Sequence, residues 1–120
     1  MRAIMKRDMD LVRRILQDVE ACADRDGLRV INYPDVDQGI VDYHLIYCLH
    51  AGLVQGVEHN NNCQHTLYAV NLTPSGHDFV DKSRSNQMWT KAKDALVSKG
   101  LPIAIDTLMK SLGKLIDAAI

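Results

Sequence analysis

The chain has 120 residues, 47% of them hydrophobic and 24% charged, and a formal net charge of −1. That is an ordinary globular balance for a single domain, with no low-complexity tract and no apolar run near the roughly 20 residues that cross a bilayer. Divided along the chain, the charge is far from neutral. Residues 1–29 hold seven Lys/Arg against six Asp/Glu, residues 30–81 hold none against six, and residues 82–120 hold seven against three. All five histidines fall in the middle block. The start, "MRAIMKRDMDL", lacks the apolar core of a signal peptide, so a cytoplasmic location is expected. Three cysteines (Cys22, Cys48, Cys63) without a C-x-x-C pair suit reduced thiols better than a disulfide framework.

In chain order, "RDMDLVRRILQDVEACA" places Val12, Ile15, Leu16, Val19 and Ala23 at helical spacing, with Asp8 as N-cap and Asp10 at the positive end of the dipole. "LRVINY" alternates as a short strand that stops at Pro34. A second helix starts near Asp35 or Asp37 and ends at Gly52, a residue suited to a left-handed cap. The helical wheel turns Val41, Leu45, Cys48, Leu49 and Gly52 to the core. Tyr43, Ile46, Tyr47 and His50 then point away, with His44 at the flank.

"LVQGVEH" and "HTLYAVNL" flank "NNNCQ" and predict a β-hairpin, since asparagines tolerate the conformations a tight turn requires. Thr73 then caps a helix with Pro74 at its first position and Phe79 and Val80 on its apolar side. "QMWTKAKDALVSK" places Trp89, Ala92 and Leu96 on one face and closes at Gly100. Pro102 opens a last helix whose stripe runs through Ile105, Leu108, Met109, Leu112, Leu115, Ile116 and Ala119. The expected fold is mainly α with a small β-hairpin wing. It is a winged helix-turn-helix core over residues 1–81, extended by C-terminal helices over 82–120 that offer a dimerisation element.

"MKRDMDLVRRIL", "YHLIYCLHAGLV", "LTPSGHDFVD" and "MWTKAK", in that order, resemble the family called domain of unknown function 2513. These are small bacterial and phage or prophage proteins. The resemblance implies a winged-helix fold and a mobile-element setting, and brings no catalytic residue or ligand.

A winged helix usually lays a helix in the major groove and its wing on the adjacent backbone. Phosphate neutralisation supplies most non-specific affinity, yet residues 30–81 contain no Lys or Arg. DNA binding would therefore need the basic ends, with Lys6, Arg7, Arg13, Arg14, Lys82 and Arg84 as candidate phosphate contacts. Wing-tip His59, Asn60, Asn61, Asn62 and Gln64 could add hydrogen bonds. The leading expectation is different. Tyr43, Ile46, Tyr47 and His50, rimmed by carboxylates, form a contact face for a protein partner, and a homodimer through the last helix is a further expectation.

His59, Cys63 and His65 share the H-x-x-x-C-x-H spacing of His44, Cys48 and His50, and such ligands suit zinc. Neither set has a fourth ligand, and the helical set cannot face one point, so no metal or cofactor is expected. No enclosing pocket, oxyanion site or phosphate-binding glycine loop accompanies Cys63, so the chain is expected not to be an enzyme.

Overall fold

The computed structural model describes residues 7–22, 31–60 and 65–119, without the side chains of residues 60, 65, 66, 69 and 119. Helices α1 (Met9–Ala21) and α2 (Gln38–His50) precede strands β1 (Val54–Asn60) and β2 (His65–Leu72). Helices α3 (Pro74–Lys82), α4 (Asn86–Ser98) and α5 (Ile105–Ala119) follow. Among the described residues the chain is therefore mainly α with a small antiparallel sheet. No described helix is long and apolar enough to cross a membrane. The chain divides into two compact units, Met1–His77 and Asp78–Ile120, and the division falls within α3.

In the first unit, α1 packs on α2 and β2, and α2 packs on both strands. The side chain of Asp8 accepts from the N–H groups of Asp10 and Leu11, satisfying two donors the first turn leaves open. Val12, Ile15 and Leu16 are fully buried on the inner stripe of α1. Of the expected strand "LRVINY", residues 28–30 lie outside the described residues, and 31–33 join no strand among the described ones. Ile31 and Tyr33 are buried and Asn32 exposed. The Ile31 carbonyl accepts from Gln38 Nε2 at 3.1 Å, which ties this segment to the start of α2. A turn closed by Val36 N–H to the Tyr33 carbonyl, with Pro34 second in the turn, then leads into α2.

Asp37 caps α2 through the Gly39 N–H at 2.8 Å. The helix ends in a Schellman motif: Gly52 adopts φ 76°, its N–H reaches the Leu49 carbonyl, and the Leu53 N–H reaches that of Cys48. In the hairpin, Val57 pairs with Tyr68 and Gln55 with Asn71, so Gly56 alone opposes Ala69 and Val70. This bulge shifts the alternation of β2 by one residue, and Leu67 and Val70 are therefore both buried. A β-carbon at Gly56 would lie 2.7 Å from the Tyr68 carbonyl oxygen. Thr73 caps α3, its hydroxyl accepting from Gly76 N–H and donating to the Gly52 carbonyl. Gly76 lies so close to β1 that a β-carbon there would sit 2.0 Å from the Leu53 carbonyl oxygen.

In the second unit, Phe79 and Trp89 meet edge to face at 5.9 Å, and α4 packs on α5. Ser85 caps α4 by accepting from Met88 N–H. Gly100, at φ 68°, closes it in a second Schellman motif, with Leu101 N–H on the Leu96 carbonyl. Pro102 does not open the last helix, which begins at Ile105. The Thr107 hydroxyl donates to the Pro102 carbonyl at 2.6 Å and accepts from Ala104 N–H, so residues 102–104 form the entry instead. Of the expected α5 stripe, Leu108 and Leu112 are fully buried, while Ile105, Met109, Leu115 and Ile116 are half-buried.

Candidate interaction surface

Helix α2 was expected to present one face to the core and another to a partner. Of its thirteen residues only Gly39, Tyr43 and His50 are exposed. Ile46, expected to project outward, is buried. The reason is compositional: Asp42 is the only Asp, Glu, Lys or Arg in the helix, and an apolar helix packs on several sides. Asp42 is itself buried and accepts from Gln38 Nε2 at 2.9 Å, so the one carboxylate needs no solvent.

His44, expected at the flank, is completely buried. Its Nδ1 lies 2.7 Å from the Ile40 carbonyl, and its Nε2 accepts from the Asp8 N–H at 2.9 Å. With one nitrogen facing an acceptor and the other a donor, the ring is the neutral tautomer protonated on Nδ1. His44 thus ties the start of α1 to the middle of α2. Tyr47, half-buried, is held from the same direction: Arg7 Nη1 donates to its hydroxyl at 3.3 Å and the guanidinium lies 5.6 Å from its ring centroid. The α2 side of the expected contact face therefore reduces to Tyr43, 39% exposed, and His50.

The hairpin contributes more than the sequence suggested. Val57 is 63% exposed and its cross-strand partner Tyr68 is 41% exposed. The His59 ring packs edge to face on Tyr68 at 5.7 Å. These three side chains form an apolar, aromatic outer face on the sheet. Pairing alternation alone would have exposed Val57, but only the bulge at Gly56 fixes Tyr68 outward while keeping Val70 in. At the junction with α2, His50 Nε2 lies 4.0 Å from Glu58 Oε1. Of the other wing-tip candidates, Asn60 is the last β1 residue and its backbone pairs with His65. Asn61, Asn62 and Gln64 lie outside the described residues.

Of the cations expected to touch phosphate, Arg14 and Arg84 are paired with carboxylates. Arg14 donates to both carboxylate oxygens of Asp35, at 2.9 and 3.2 Å, and stacks 3.9 Å from the Tyr33 ring centroid. The hydrogen bond from Arg14 holds the Asp35 carboxyl below the usual carboxylate range, and the same bond raises the guanidinium. Burial first, then a hydrogen bond donated to Asp18, pushes the Tyr33 phenol above its ordinary value. Partial burial lowers Arg13, against the attraction of Asp10. Arg84 pairs with Asp81 at 2.9 Å, one turn away. Lys82 is exposed at the end of α3, and Lys6 lies outside the described residues.

Among the described residues no group of three His, Cys, Asp or Glu is placed to hold a metal ion. His44 has both nitrogens engaged by backbone, Cys48 is buried, and His50 is exposed, so the helical H-x-x-x-C-x-H set does not converge. Burial pushes the Cys48 thiol up to about 12. Cys63, the centre of the wing set, lies outside the described residues.

No solved structure matches the chain. A protein of Haemophilus influenzae, described only as uncharacterized, is 31% identical over 105 residues, covering 87% of this chain and 89% of the relative. The family model described as "Hypothetical protein (DUF2513)" matches residues 6–102, which include α1, α2, the hairpin, α3 and α4. The chain belongs to the DUF2513 family.

Proposed function

We propose that this chain is a non-enzymatic interaction protein of winged-helix type, in the phage or prophage setting implied by its family resemblance. It acts through protein contacts made by the helix–hairpin region. The observation that carries this reading is the exposed pair Val57 and Tyr68 with His59 beside it, in a stretch without any Lys or Arg. Aromatic and apolar side chains with a polar handle are what interfaces favour. Asp37 and Glu58 are exposed carboxylates of the same region, and its lack of Lys and Arg favours a basic partner.

The alternative is a winged-helix DNA-binding transcriptional regulator, and the order of helix, helix and hairpin favours it. In that reading α2 would lie in the groove. A helix with three exposed residues, none of them Lys or Arg, offers little to base edges or phosphates. Phosphate contact would then fall to the basic ends, where Arg14 and Arg84 already pair with carboxylates. Each such pair must be broken before a phosphate is gained. Protein contact is therefore the preferred reading.

The test is an affinity capture from a bacterial host lysate with wild-type chain and with a Val57→Asp, Tyr68→Ala double variant as bait, both checked for helix content. A protein retained in stoichiometric amount by the wild type and lost by the variant is the expected result. Identical sets on both baits would overturn the assignment of the hairpin face.

A further inference from the structure

The second unit carries a feature that the helix–hairpin reading does not use. Between α4 and α5 runs an apolar groove of about 290 Å³. Leu96, Leu101 and Leu115 are among its apolar lining, and Lys99, Lys110 and Lys114 also line it. No carboxylate lines it. Among the described residues none of the three lysines makes an ion pair, and all three are exposed. The groove is built by local geometry: the left-handed turn at Gly100 sends Leu101 back to hydrogen-bond with Leu96, which leaves Leu101 at the groove with 46% of its surface exposed.

We propose that this groove receives the apolar face of an acidic amphipathic helix from a partner protein. The lysines select against a basic occupant, because like charges brought together at an interface cost affinity. The apolar lining selects against a nucleic-acid backbone, which would neutralise the lysines but leave exposed Leu101 and half-buried Leu115 uncovered. A helix with apolar side chains at i, i+3, i+4 and i+7 and carboxylates beside them satisfies both features at once. This surface is independent of the hairpin face, and its charge is opposite in sign.

The full chain is titrated against two fluorescein-labelled synthetic helical peptides with identical leucine anchors, one carrying glutamate and the other lysine at the flanking positions. The glutamate peptide binds saturably and the lysine peptide does not. A Lys110→Glu, Lys114→Glu variant weakens the glutamate peptide by about tenfold, since two reversed surface charges each change the interaction modestly. Leu101→Ser weakens it without altering its salt dependence. Equal binding of the two peptides, or unchanged affinity in either variant, would overturn the proposal. So would a wild-type dimer that dissociates in the charge-reversed variant, because a second copy would then occupy the groove.

Discussion

Helices α2 and α5 are of similar length, and both are rich in apolar residues, yet they are used in opposite ways. Helix α2 is packed on nearly every side: its single carboxylate is bonded internally, and its buried histidine has both nitrogens satisfied. Helix α5 is one-sided, with Leu108 and Leu112 buried while Asp106, Lys110, Lys114 and Asp117 face solvent. The difference traces to charge content. Four charged positions along one side of a helix define a wet face, whereas one carboxylate with a neighbouring glutamine can be absorbed into a core. A helix like α2 is a poor surface for reading anything, and recognition passes to the elements it supports.

Substitutions around α2 are therefore expected to be costly, and those on the side of α5 away from Leu108 and Leu112 to be tolerated. The largest effect is expected at Gly76, where the added methyl of Gly76→Ala would meet the Leu53 carbonyl at 2.0 Å. The backbone of α3 or β1 must move, and a loss above about 4 kcal/mol is expected in urea unfolding. His44→Ala removes the group joining α1 to α2 and orphans the Asp8 N–H. It should cost about 3 kcal/mol, against less than about 0.5 for His50→Ala on the exposed end of the same helix. A His44→Ala protein as stable as the wild type would remove the anchor from the account.

On α5 the sign reverses. A β-carbon at Gly113 meets nothing within 4 Å, so Gly113→Ala should stabilise by about 1 kcal/mol through helix propensity alone. Smaller effects report on the same packing. Buried Cys48, its thiol pushed up to about 12, should resist iodoacetamide in the native protein while half-exposed Cys22 reacts, as read by peptide mass mapping. Asp35 provides the pH dependence. Its folded value is depressed by Arg14, so its contribution is present above the ordinary carboxylate range and lost as pH falls through the folded midpoint. Both side chains are largely solvated, and the effect on stability is correspondingly small. Arg14→Ala should return the Asp35 midpoint, followed by carboxyl NMR, to the usual range.

Features set by a few neighbouring residues were legible in the sequence. The caps at Asp8, Asp37 and Thr73 and the left-handed stops at Gly52 and Gly100 all depend on local chemistry. The hairpin was legible too, but not its bulge, because nothing before Gly56 reveals that two residues will oppose it across the strands. Ile46 was misplaced because the helical wheel assumes one buried face, although the near absence of charge in "QGIVDYHLIYCLH" was itself the signal. The Ile31 carbonyl bonds the Gln38 side chain of α2. That partner is set by tertiary packing and leaves no periodic trace. For the candidate surface, the charge segregation was legible, whereas the exposure of Val57 and Tyr68 required the register.

The central claim is that the helix–hairpin region meets protein and not DNA. Fluorescence anisotropy with random-sequence duplex DNA, titrated with salt at pH 7.5, tests it most directly. The prediction is no micromolar binding at about 0.15 M salt, because the helix–hairpin region supplies no Lys or Arg, Arg14 and Arg84 are paired with carboxylates, and the exposed lysines near the C-terminus are too few to hold a duplex alone. Micromolar or tighter binding that weakens steeply with added salt would contradict it.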